Sequence, residues 1–331
     1  MIISKTPYRI SFFGGGTDYP EWYLNNAGEV ISSTIDKYLY LTMRSLPSFF
    51  EHKYRISYSI NEHAKKIADI KHPVVREALK AYEYYDQGNL GTELHYDGDL
   101  PARSGMGSSS VFVVGLLKIL LGLKKEISPY SLAKKSIYFE QTILSETVGS
   151  QDQIAASYGG FNIINFKKNG SFKVENLIKD DAELERLSEN LLLVYTGLSR
   201  TANWIAKSYI NKLNTSRKDS LDKIVKQTKL AKNLFLAKDY DSIGSLLHEA
   251  WMEKKLLSNK VSNNYIDSIY NNGLKNGALG GKLLGAGGGG FILFYVKKNK
   301  QKKIINFFKK LTILKIKFSK KGSEIIFNNE K

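Results

Sequence analysis

The apolar run VFVVGLLKILLGL at 111–123 constrains the fold most, because it directly follows a loop of two glycines and four serines, PARSGMGSSS at 101–110. A run this apolar is typical of a buried helix. Gly105 and Gly107 permit positive φ, and a serine at 108 or nearby can cap the helix. Two interpretations stay open: an ordinary turn before a capped core helix, or a helix N-terminus that binds a phosphate.

Composition limits the classes of protein to which this chain can belong. With 331 residues and 42% hydrophobic content, it can bury two medium-sized cores, so we expect two domains. The absence of cysteine from the sequence excludes disulfides and thiolate metal sites. The longest apolar run contains Lys118 and is shorter than the roughly 20 residues that span a bilayer. The first residues lack a secretory signal, so we expect a cytoplasmic protein without a membrane partner.

The net charge of +17 raises the question of a nucleic-acid partner. Residues 297–331 contain 12 lysines and two acidic residues, Glu324 and Glu330, so much of the excess charge lies in this segment. A lysine-rich segment of this kind is usually a solvated surface. The sequence has no combined aromatic and basic RNA-binding motif, and we expect no nucleic-acid partner.

The order of the predicted elements is typical of an α+β protein, with strand patterns early and helical patterns later. Strands are predicted at 2–4, 9–13, 29–35, 38–46, 92–96, 161–166 and 191–195. Helices are predicted over 73–86, 108–121, 129–144 and 151–157, over most of 201–275, and over 299–311 before a final pair of strands. The polar stretch at 179–190 is a predicted hinge between domains 1–185 and 186–331.

A second glycine-rich segment, GAGGGGFILFYV, occupies 285–296. Gly285, Gly287 and Gly290 formally satisfy the dinucleotide-binding pattern G-x-G-x-x-G, but a strand follows them where that motif requires a helix. A Walker A loop is excluded because a leucine follows Lys282. The segment is therefore either a tight hairpin with a bulge or a place where the backbone comes very close to another group.

A third glycine-rich segment, TPYRISFFGGGTDYPEW, occupies 6–22. Its three glycines leave no side chains in front of Asp18, which is followed by Tyr19 and Trp22. A carboxylate that accepts hydroxyl hydrogen bonds beside an aromatic face is typical of a polyol site. An equally open interpretation is a helix that begins at Asp18 with Pro20 in its first turn.

Two carboxylates, Glu140 and Asp152, lie in the chain between the glycine-rich segments at 101–110 and 285–296. Phosphoryl transfer requires a cradle for phosphates, a metal, positive charge and a carboxylate near the attacking hydroxyl, and the chain has a candidate for each. Taken separately, a glutamate on a helix is usually solvated, and an aspartate in a turn is usually a cap.

Four motifs in this order, TPYRISFFGGGTDY, LPARSGMGSSS, GSQDQIAASYGG and GAGGGGFILF, resemble the GHMP kinases over nearly the whole chain. The second fits the phosphate loop of that family. The resemblance implies an α+β, two-domain GHMP kinase fold. Its N-terminal α+β domain has a left-handed β-α-β crossover, an exception to the right-handed rule, and its C-terminal domain is ferredoxin-like.

The resemblance also implies site residues, ATP as donor and Mg²⁺ as cofactor. Asp152 is the implied catalytic base, and Arg9 supplies positive charge at the reaction. Ser109 and Glu140 are the implied Mg²⁺ ligands. The implied nucleotide-binding residues are Pro101, Arg103, Ser104, Gly105, Met106, Gly107, Ser108, Ser109 and Ser110. The implied substrate-binding residues are Gly15, Gly16, Thr17, Asp18, Arg200, Gly287 and Gly288.

The acceptor is expected to be a sugar phosphate. Galactokinases have Glu-His where this chain has Gly15 and Gly16, so galactose is not the expected acceptor. Within the family, the first and third motifs are most similar to bacterial heptose 7-phosphate kinases, which act on the C1 hydroxyl, and to fucokinase domains. The partners expected are therefore ATP and a small sugar phosphate, and a homodimer is left open.

Overall fold

Two β-sheets organise the protein. In the computed structural model, which describes residues 1–82, 91–122, 126–199 and 202–329, one sheet has eight strands and the other has four. No helix in those ranges is long and apolar enough to span a membrane.

The first part of the chain forms most of the eight-stranded sheet and the helices that cover it. Its elements are β1 (Ile2–Phe13), α1 (Pro20–Asn26), β2 (Gly28–Leu46), β3 (Tyr54–Ser57), β4 (Asn61–Ala64), α2 (Pro73–Ala81), β5 (Gly91–Gly98), α3 (Ser108–Gly122), α4 (Pro129–Tyr138), α5 (Gln151–Tyr158), β6 (Phe161–Phe166), β7 (Phe172–Ile178) and α6 (Asp181–Ser188).

The strand order of this sheet is β12-β1-β2-β5-β3-β4, where β12 (Glu324–Asn328) comes from the end of the chain, and β6 pairs with β2 and β7. β3 pairs in parallel with β5, and α2 lies in the connection between them. This is the β-α-β crossover that the resemblance implies. The other pairings recorded for this sheet in the described ranges are antiparallel.

The two strands predicted at 29–35 and 38–46 are one continuous strand, β2. Two hydrogen bonds to the backbone of Lys317, one from the Asp36 N–H and one to the Asp36 side chain, support the extended chain at Asp36. The Asp36 N–H donates to the Lys317 carbonyl at 2.9 Å, and the Lys317 N–H donates to Asp36 Oδ1 at 2.9 Å. This contact involves residues 281 positions apart, so no local pattern indicates it.

Helix α3 is the buried helix that the apolar run predicts. Val113, Val114 and Leu117 are fully buried, and truncating one such leucine costs about 2–5 kcal/mol. Gly115 lies close to β1, since a Cβ there would come within 2.9 Å of Thr6 Oγ1. This close packing fixes where the helix begins relative to the sheet, and therefore where its N-terminal N–H groups point.

The second part of the chain forms the four-stranded sheet. Its elements are β8 (Leu191–Tyr195), α7 (Ala202–Ala206), α8 (Lys218–Leu236), α9 (Tyr240–Lys255), α10 (Asn264–Lys275), β9 (Gly280–Leu283), β10 (Phe291–Tyr295), α11 (Gln301–Phe307) and β11 (Ile313–Leu314). The strand order is β11-β8-β10-β9 with antiparallel pairing. Strands, helices and order together give the β-α-β-β-α-β arrangement of a ferredoxin-like unit, as expected.

The last two strands belong to different sheets, which the sequence did not indicate. β11 pairs with β8, whereas β12 returns to the first sheet and pairs with β1. The stretch predicted as a hinge contains helix α6, because Asp180 caps it and Leu184 and Leu187 are buried. The division between residues 185 and 186 falls inside this helix and stays a prediction.

The helix predicted over 129–144 changes its pitch before it ends. Helix α4 stops at Tyr138, and Phe139–Ile143 form a π-helical turn. Single π turns inside helices often occur at functional sites. Glu140, one of the implied metal ligands, lies in this turn.

Candidate active site

A cleft with a volume of about 340 Å³ brings the three glycine-rich segments together. Its N-terminal wall consists of Arg9, Ser11, Gly15, Gly16, Asp18, Tyr19, Arg103, Gly105, Gly107, Ser108, Ser109, Ser110, Glu146, Val148, Gly149, Gln151 and Asp152. Its C-terminal wall consists of Tyr209, Lys254, Leu257, Lys282, Gly285, Ala286, Gly287 and Gly289.

The two walls touch through glycines. Gly105 and Gly285 both have positive φ, 80° and 72°, and a Cβ on Gly285 would lie 2.6 Å from the Gly105 Cα. A Cβ on Gly105 would lie 2.6 Å from the Leu284 carbonyl oxygen. Only glycine fits this approach without a shift of the backbone. The segment at 285–290 therefore joins β9 and β10 as a hairpin and also comes very close to another backbone.

The N-terminus of α3 faces the cleft. The helix begins at Ser108, and Ser108, Ser109 and Ser110 all line the cleft. Ser108 Oγ accepts a hydrogen bond from the Arg103 N–H at 3.0 Å, which closes the loop on itself. The free N–H groups and the helix dipole favour an anion at this end. The geometry thus combines a capped core helix with an anion-binding position.

The remaining loop residues support this conformation from outside the cleft. Ser104 and Met106 are fully buried, and Pro101 is exposed. The Ser104 carbonyl accepts from the Phe291 N–H at 3.1 Å, and the Met106 carbonyl accepts from the Arg9 N–H at 3.3 Å. Three implied nucleotide-binding residues, Pro101, Ser104 and Met106, therefore do not line the cleft.

Arg9 and Asp152 form a bidentate ion pair in the N-terminal wall. Arg9 Nε donates to Asp152 Oδ1 at 2.6 Å, and Nη2 donates to Oδ2 at 2.7 Å. The remaining nitrogen, Nη1, donates to the Gly105 carbonyl at 2.8 Å. A Cβ on Gly107 would lie 3.1 Å from Asp152 Oδ2, so the carboxylate directly adjoins the phosphate loop. Bidentate pairing fixes the orientation of both groups.

Asp18 is buried in the N-terminal wall among amide donors. Its Oδ1 accepts from the Gly16 N–H at 2.9 Å, and its Oδ2 accepts from Gln151 Nε2 at 3.0 Å. Burial raises the pKa of Asp18, the hydrogen bonds from Gly16 and Gln151 oppose the rise, and the negative charge of Asp152 adds to it. Gly149 makes room for this carboxylate, since a Cβ there would lie 1.9 Å from Oδ2.

Glu140 lies behind the N-terminal wall and is fully buried. Burial raises its pKa to about 8, although interactions with Ser110 and Gln153 favour the charged form. Gln153 Nε2 donates to its Oε2, and no hydrogen-bond partner of Oε1 is found among the described residues. A buried carboxylate oxygen without a partner fits a hard cation such as Mg²⁺. The described residues contain no cluster of three or more acidic or histidine ligands.

The other implied substrate residues are distributed unevenly. Gly15, Gly16 and Gly287 line the cleft. The Thr17 hydroxyl instead donates within the loop, with carbonyl acceptors of Gly14 at 2.8 Å and Glu29 at 3.0 Å, and the Gly288 N–H donates to the Val261 carbonyl at 2.9 Å. Arg200 lies outside the described residues.

The structure adds cleft residues that sequence reasoning missed. Lys254, Lys282 and Tyr209 contribute to the C-terminal wall, and Ser11 and Glu146 to the N-terminal wall. Tyr19 and Tyr209 meet edge to face at 6.4 Å and connect the walls, whereas Trp22 is buried in the core. No local pattern distinguishes these side chains from ordinary core or surface residues. Ser11 and Lys282 are the exceptions, because each lies three residues before a glycine block, and that position could have indicated them.

Comparison with known families agrees with this architecture. The model for the GHMP kinases N terminal domain matches residues 73–160, and the model for GHMP kinases C terminal matches residues 230–312. The chain belongs to the GHMP kinase family.

Comparison with individual proteins shows which members of the family the chain is similar to. The chain is 30% identical over 320 residues to a D-glycero-alpha-D-manno-heptose 7-phosphate kinase from Campylobacter jejuni, with 93% of each protein covered. It is 26% identical to a bifunctional fucokinase/GDP-fucose pyrophosphorylase from Arabidopsis thaliana, over 88% of this chain and 30% of that longer protein. A solved D-glycero-D-manno-heptose 1-phosphate kinase from Bacteroides thetaiotaomicron has the same fold, with a TM-score of 0.79, 21% identity and all of both chains covered.

Proposed function

We propose that this protein is a sugar kinase that transfers the γ-phosphoryl group of ATP to the C1 hydroxyl of D-glycero-D-manno-heptose 7-phosphate. The product would lead to nucleotide-activated heptose for surface polysaccharide. One observation carries the kinase proposal: the Arg9–Asp152 pair adjoins the phosphate loop inside a single cleft. The name of the Campylobacter jejuni relative supports the choice of acceptor.

In the proposed reaction, the phosphate loop holds ATP at the N-terminus of α3, with the free N–H groups directed at its phosphates. The acceptor oxygen forms a bond to the γ-phosphorus while the bond between that phosphorus and the bridging oxygen of ADP breaks. ADP leaves with the electron pair, and the hydroxyl proton passes to Asp152. Arg9 orients the Asp152 carboxylate through two hydrogen bonds.

Asp18 is the proposed anchor for the sugar hydroxyls. It lies beside Gly15 and Gly16, which have no side chains to obstruct a polyol, and Tyr19 and Tyr209 supply apolar surface. The pKa of Asp18 is raised by burial, so hydrogen bonds from the acceptor hydroxyls would stabilise its charged form.

Mg²⁺ is the proposed cofactor, and when bound it would offset the negative charge of the ATP phosphates. Glu140 would hold it through the oxygen that lacks a partner. Ser109 faces the cleft and is the second proposed ligand, whereas Ser110 already interacts with Glu140. The Glu140 carboxylate and the Ser109 hydroxyl are oxygen ligands of the kind that Mg²⁺ prefers. A cytoplasmic location and the absence of a nucleic-acid partner stay predictions, and a homodimer stays open.

A turnover screen tests the proposal. The full chain is incubated with ATP and Mg²⁺ and, separately, with heptose 7-phosphate, unphosphorylated heptose, fucose, galactose and mevalonate, and the product is identified by NMR. We expect the highest kcat/KM with heptose 7-phosphate and a phosphate at C1. Preference for fucose or galactose would contradict the acceptor, and no turnover with any of them would favour a sugar-binding regulator on the same scaffold.

A further inference from the structure

Two lysines in the C-terminal wall have ammonium groups with no acidic partner in the described part of the chain. Lys282 is 5% exposed, and its Nζ donates to the Phe12 carbonyl at 2.8 Å. Lys254 Nζ donates to the Leu283 carbonyl at 3.2 Å and to the Gly285 carbonyl. Among the ion pairs recorded for the described residues, neither lysine takes part in one. Backbone carbonyls satisfy donors of these groups but leave their charges uncompensated.

Two of the carboxylates that line the cleft, Asp152 and Asp18, already have hydrogen-bond partners. Asp152 is bound on both oxygens by Arg9, and Asp18 accepts on both oxygens from amide groups. Neither lysine is therefore paired with Asp152 or Asp18 within the described residues, and both ammonium groups remain available to an anion. Unpaired charge away from bulk water is unfavourable, and an anion entering the cleft would offset that cost.

The position of Lys254 indicates which anion. The Gly285 carbonyl that accepts from Lys254 belongs to the residue that touches Gly105 of the phosphate loop. Gly105 in turn accepts from Arg9, the partner of Asp152. The ammonium group thus lies where the phosphate loop, the glycine hairpin and the acid–base pair meet. A phosphoryl group that moves from the loop towards an acceptor beside Asp152 must pass through this region.

We propose that Lys254 and Lys282 form an oxyanion site that binds the phosphoryl group during its transfer from ATP to the acceptor. The proposal rests on the proposed kinase function and adds two catalytic residues from the C-terminal wall. Arg9 is occupied by Asp152, so it cannot supply all of the positive charge that the transferring group needs. The two lysines supply the remainder, and they stabilise the transition state, in which negative charge is spread over the three equatorial oxygens of the phosphoryl group.

The electrostatics of Lys254 agree with this role. Desolvation and, to a smaller extent, the charge of Arg9 lower the pKa of Lys254 to about 7, and the charge of Asp18 opposes them. Desolvation and the charges of Lys254 and Arg9 also hold the pKa of Lys282 well below its ordinary value, while Asp18 opposes them. A bound phosphoryl group would raise both values. In the free enzyme Lys254 loses its charge as pH rises through about 7, so kcat/KM for ATP should fall above pH about 7.

The test compares Lys254→Met with Lys255→Met, a matched control at the next position of the same helix. Lys255 forms an ion pair with Asp267 at 2.8 Å and does not line the cleft. We expect Lys254→Met to lower kcat by about 10²–10³-fold, with little change in the KM for ATP, and Lys255→Met to leave kcat unchanged. Lys282→Met should act in the same direction as Lys254→Met. Thermal melting of each variant shows whether it folds.

Two further readouts separate catalysis from a structural role. Lys254→Arg keeps a charge that does not titrate, so the fall of kcat/KM above pH about 7 should disappear. Calorimetry without any sugar should show that Lys254→Met weakens binding of ADP with aluminium fluoride but not of ADP alone. This measurement needs no acceptor, so it reports on the lysines even if heptose 7-phosphate proves not to be the substrate.

Several results would overturn the inference. An unchanged kcat in Lys254→Met, or an equal loss in Lys255→Met, would remove the catalytic role. An effect limited to the KM of phosphorylated acceptors would mean that the lysines bind the phosphate of the substrate and not the transferring group. Persistence of the alkaline fall in Lys254→Arg would assign that titration to another residue.

Discussion

The two walls of the cleft differ in how their charges are satisfied. In the N-terminal wall, Arg9 and Asp152 neutralise each other through two hydrogen bonds, and Asp18 is held by amide donors. In the C-terminal wall, Lys254 and Lys282 donate to backbone carbonyls, and neither has an acidic partner among the residues that the structure describes. The N-terminal wall therefore contains a bidentate ion pair without a ligand, whereas no ion pair is recorded for the two lysines of the C-terminal wall among the described residues.

This difference assigns different tasks to the walls. A wall whose polar groups already bind each other keeps its geometry before the substrate arrives, which suits the orientation of an acceptor hydroxyl. A wall with uncompensated positive charge attracts an anion and is neutralised only when the anion is bound. Binding of a phosphorylated ligand would thus complete the electrostatics of the cleft and favour contact between the walls.

Asp152→Asn breaks the balance of the N-terminal wall and should have the largest effect. We expect kcat to fall by about 10²–10⁴-fold because the proton acceptor is lost. ATP affinity should be maintained, since the phosphate loop is unchanged and Arg9 keeps its positive charge. Steady-state kinetics and nucleotide titration measure both quantities.

Asp222→Asn is a suitable control for that change. Asp222 also pairs with a cation, Lys218 Nζ at 2.8 Å, but on the surface of α8 away from the cleft. Its replacement should leave kcat unchanged. A fully active Asp152→Asn enzyme would remove the proposed base from the mechanism.

Asp18→Asn tests the other half of the N-terminal wall, and its effect should be smaller. Hydrogen bonds to a charged group contribute about 1.5–3 kcal/mol, so the KM for the acceptor should rise by about 10–100-fold with less change in kcat. An effect on the KM for ATP alone would contradict the placement of the sugar beside Asp18. Initial rates over both substrate concentrations distinguish these results.

The same variant should be more stable than the wild type at neutral pH. Burial raises the pKa of Asp18 above its ordinary 3.8, so the folded protein holds this proton more tightly than the unfolded chain. The contribution of Asp18 to stability therefore falls as pH rises above 3.8, and replacement by a neutral amide removes that loss. Gln151 Oε1 is buried without a recorded partner and can accept from the new amide. Urea unfolding at pH 7 and at pH 4 should show a gain that shrinks at the lower pH.

The parts of the site that could be predicted from the sequence are contiguous in the chain. The phosphate loop is such a case, because glycines, serines and an apolar helix follow one another between residues 101 and 123. The resemblance to GHMP kinases then identified Arg9 and Asp152 as candidates, and the structure brings them into contact. The order of elements indicated the α+β class, and the resemblance to the GHMP kinases implied the ferredoxin-like second domain.

The remaining features depend on contacts between distant residues. Lys254 ends an amphipathic helix in a lysine-rich region, where a lysine is usually solvated, and nothing local shows that it faces the cleft. β12 pairs with β1 across more than 300 residues, so hydrophobic periodicity could not assign it to the first sheet. The difference between Ser109, which lines the cleft, and Ser110, which interacts with Glu140, depends on the direction of α3.

Gly285→Ala tests the point where the two walls meet, with Gly197→Ala as the matched control. Both glycines have nearly the same positive φ, 72° and 74°, so an alanine costs about 1–2 kcal/mol of backbone strain at either position. A Cβ at Gly197 would meet no atom of the described residues within 4 Å, whereas one at Gly285 would lie 2.6 Å from the Gly105 Cα. The overlap should cost Gly285→Ala about 1–3 kcal/mol more in the free energy of unfolding.

The same pair of variants separates stability from function. Gly285→Ala displaces the glycine hairpin from the phosphate loop, so the KM for ATP should rise, while Gly197→Ala leaves both segments in contact and should not change it. Urea denaturation and ATP kinetics measure the two effects on the same preparations. If the two variants have equal free energies of unfolding and equal KM values for ATP, the walls can move apart at no cost. The close contact between Gly105 and Gly285 would then have no part in holding the nucleotide.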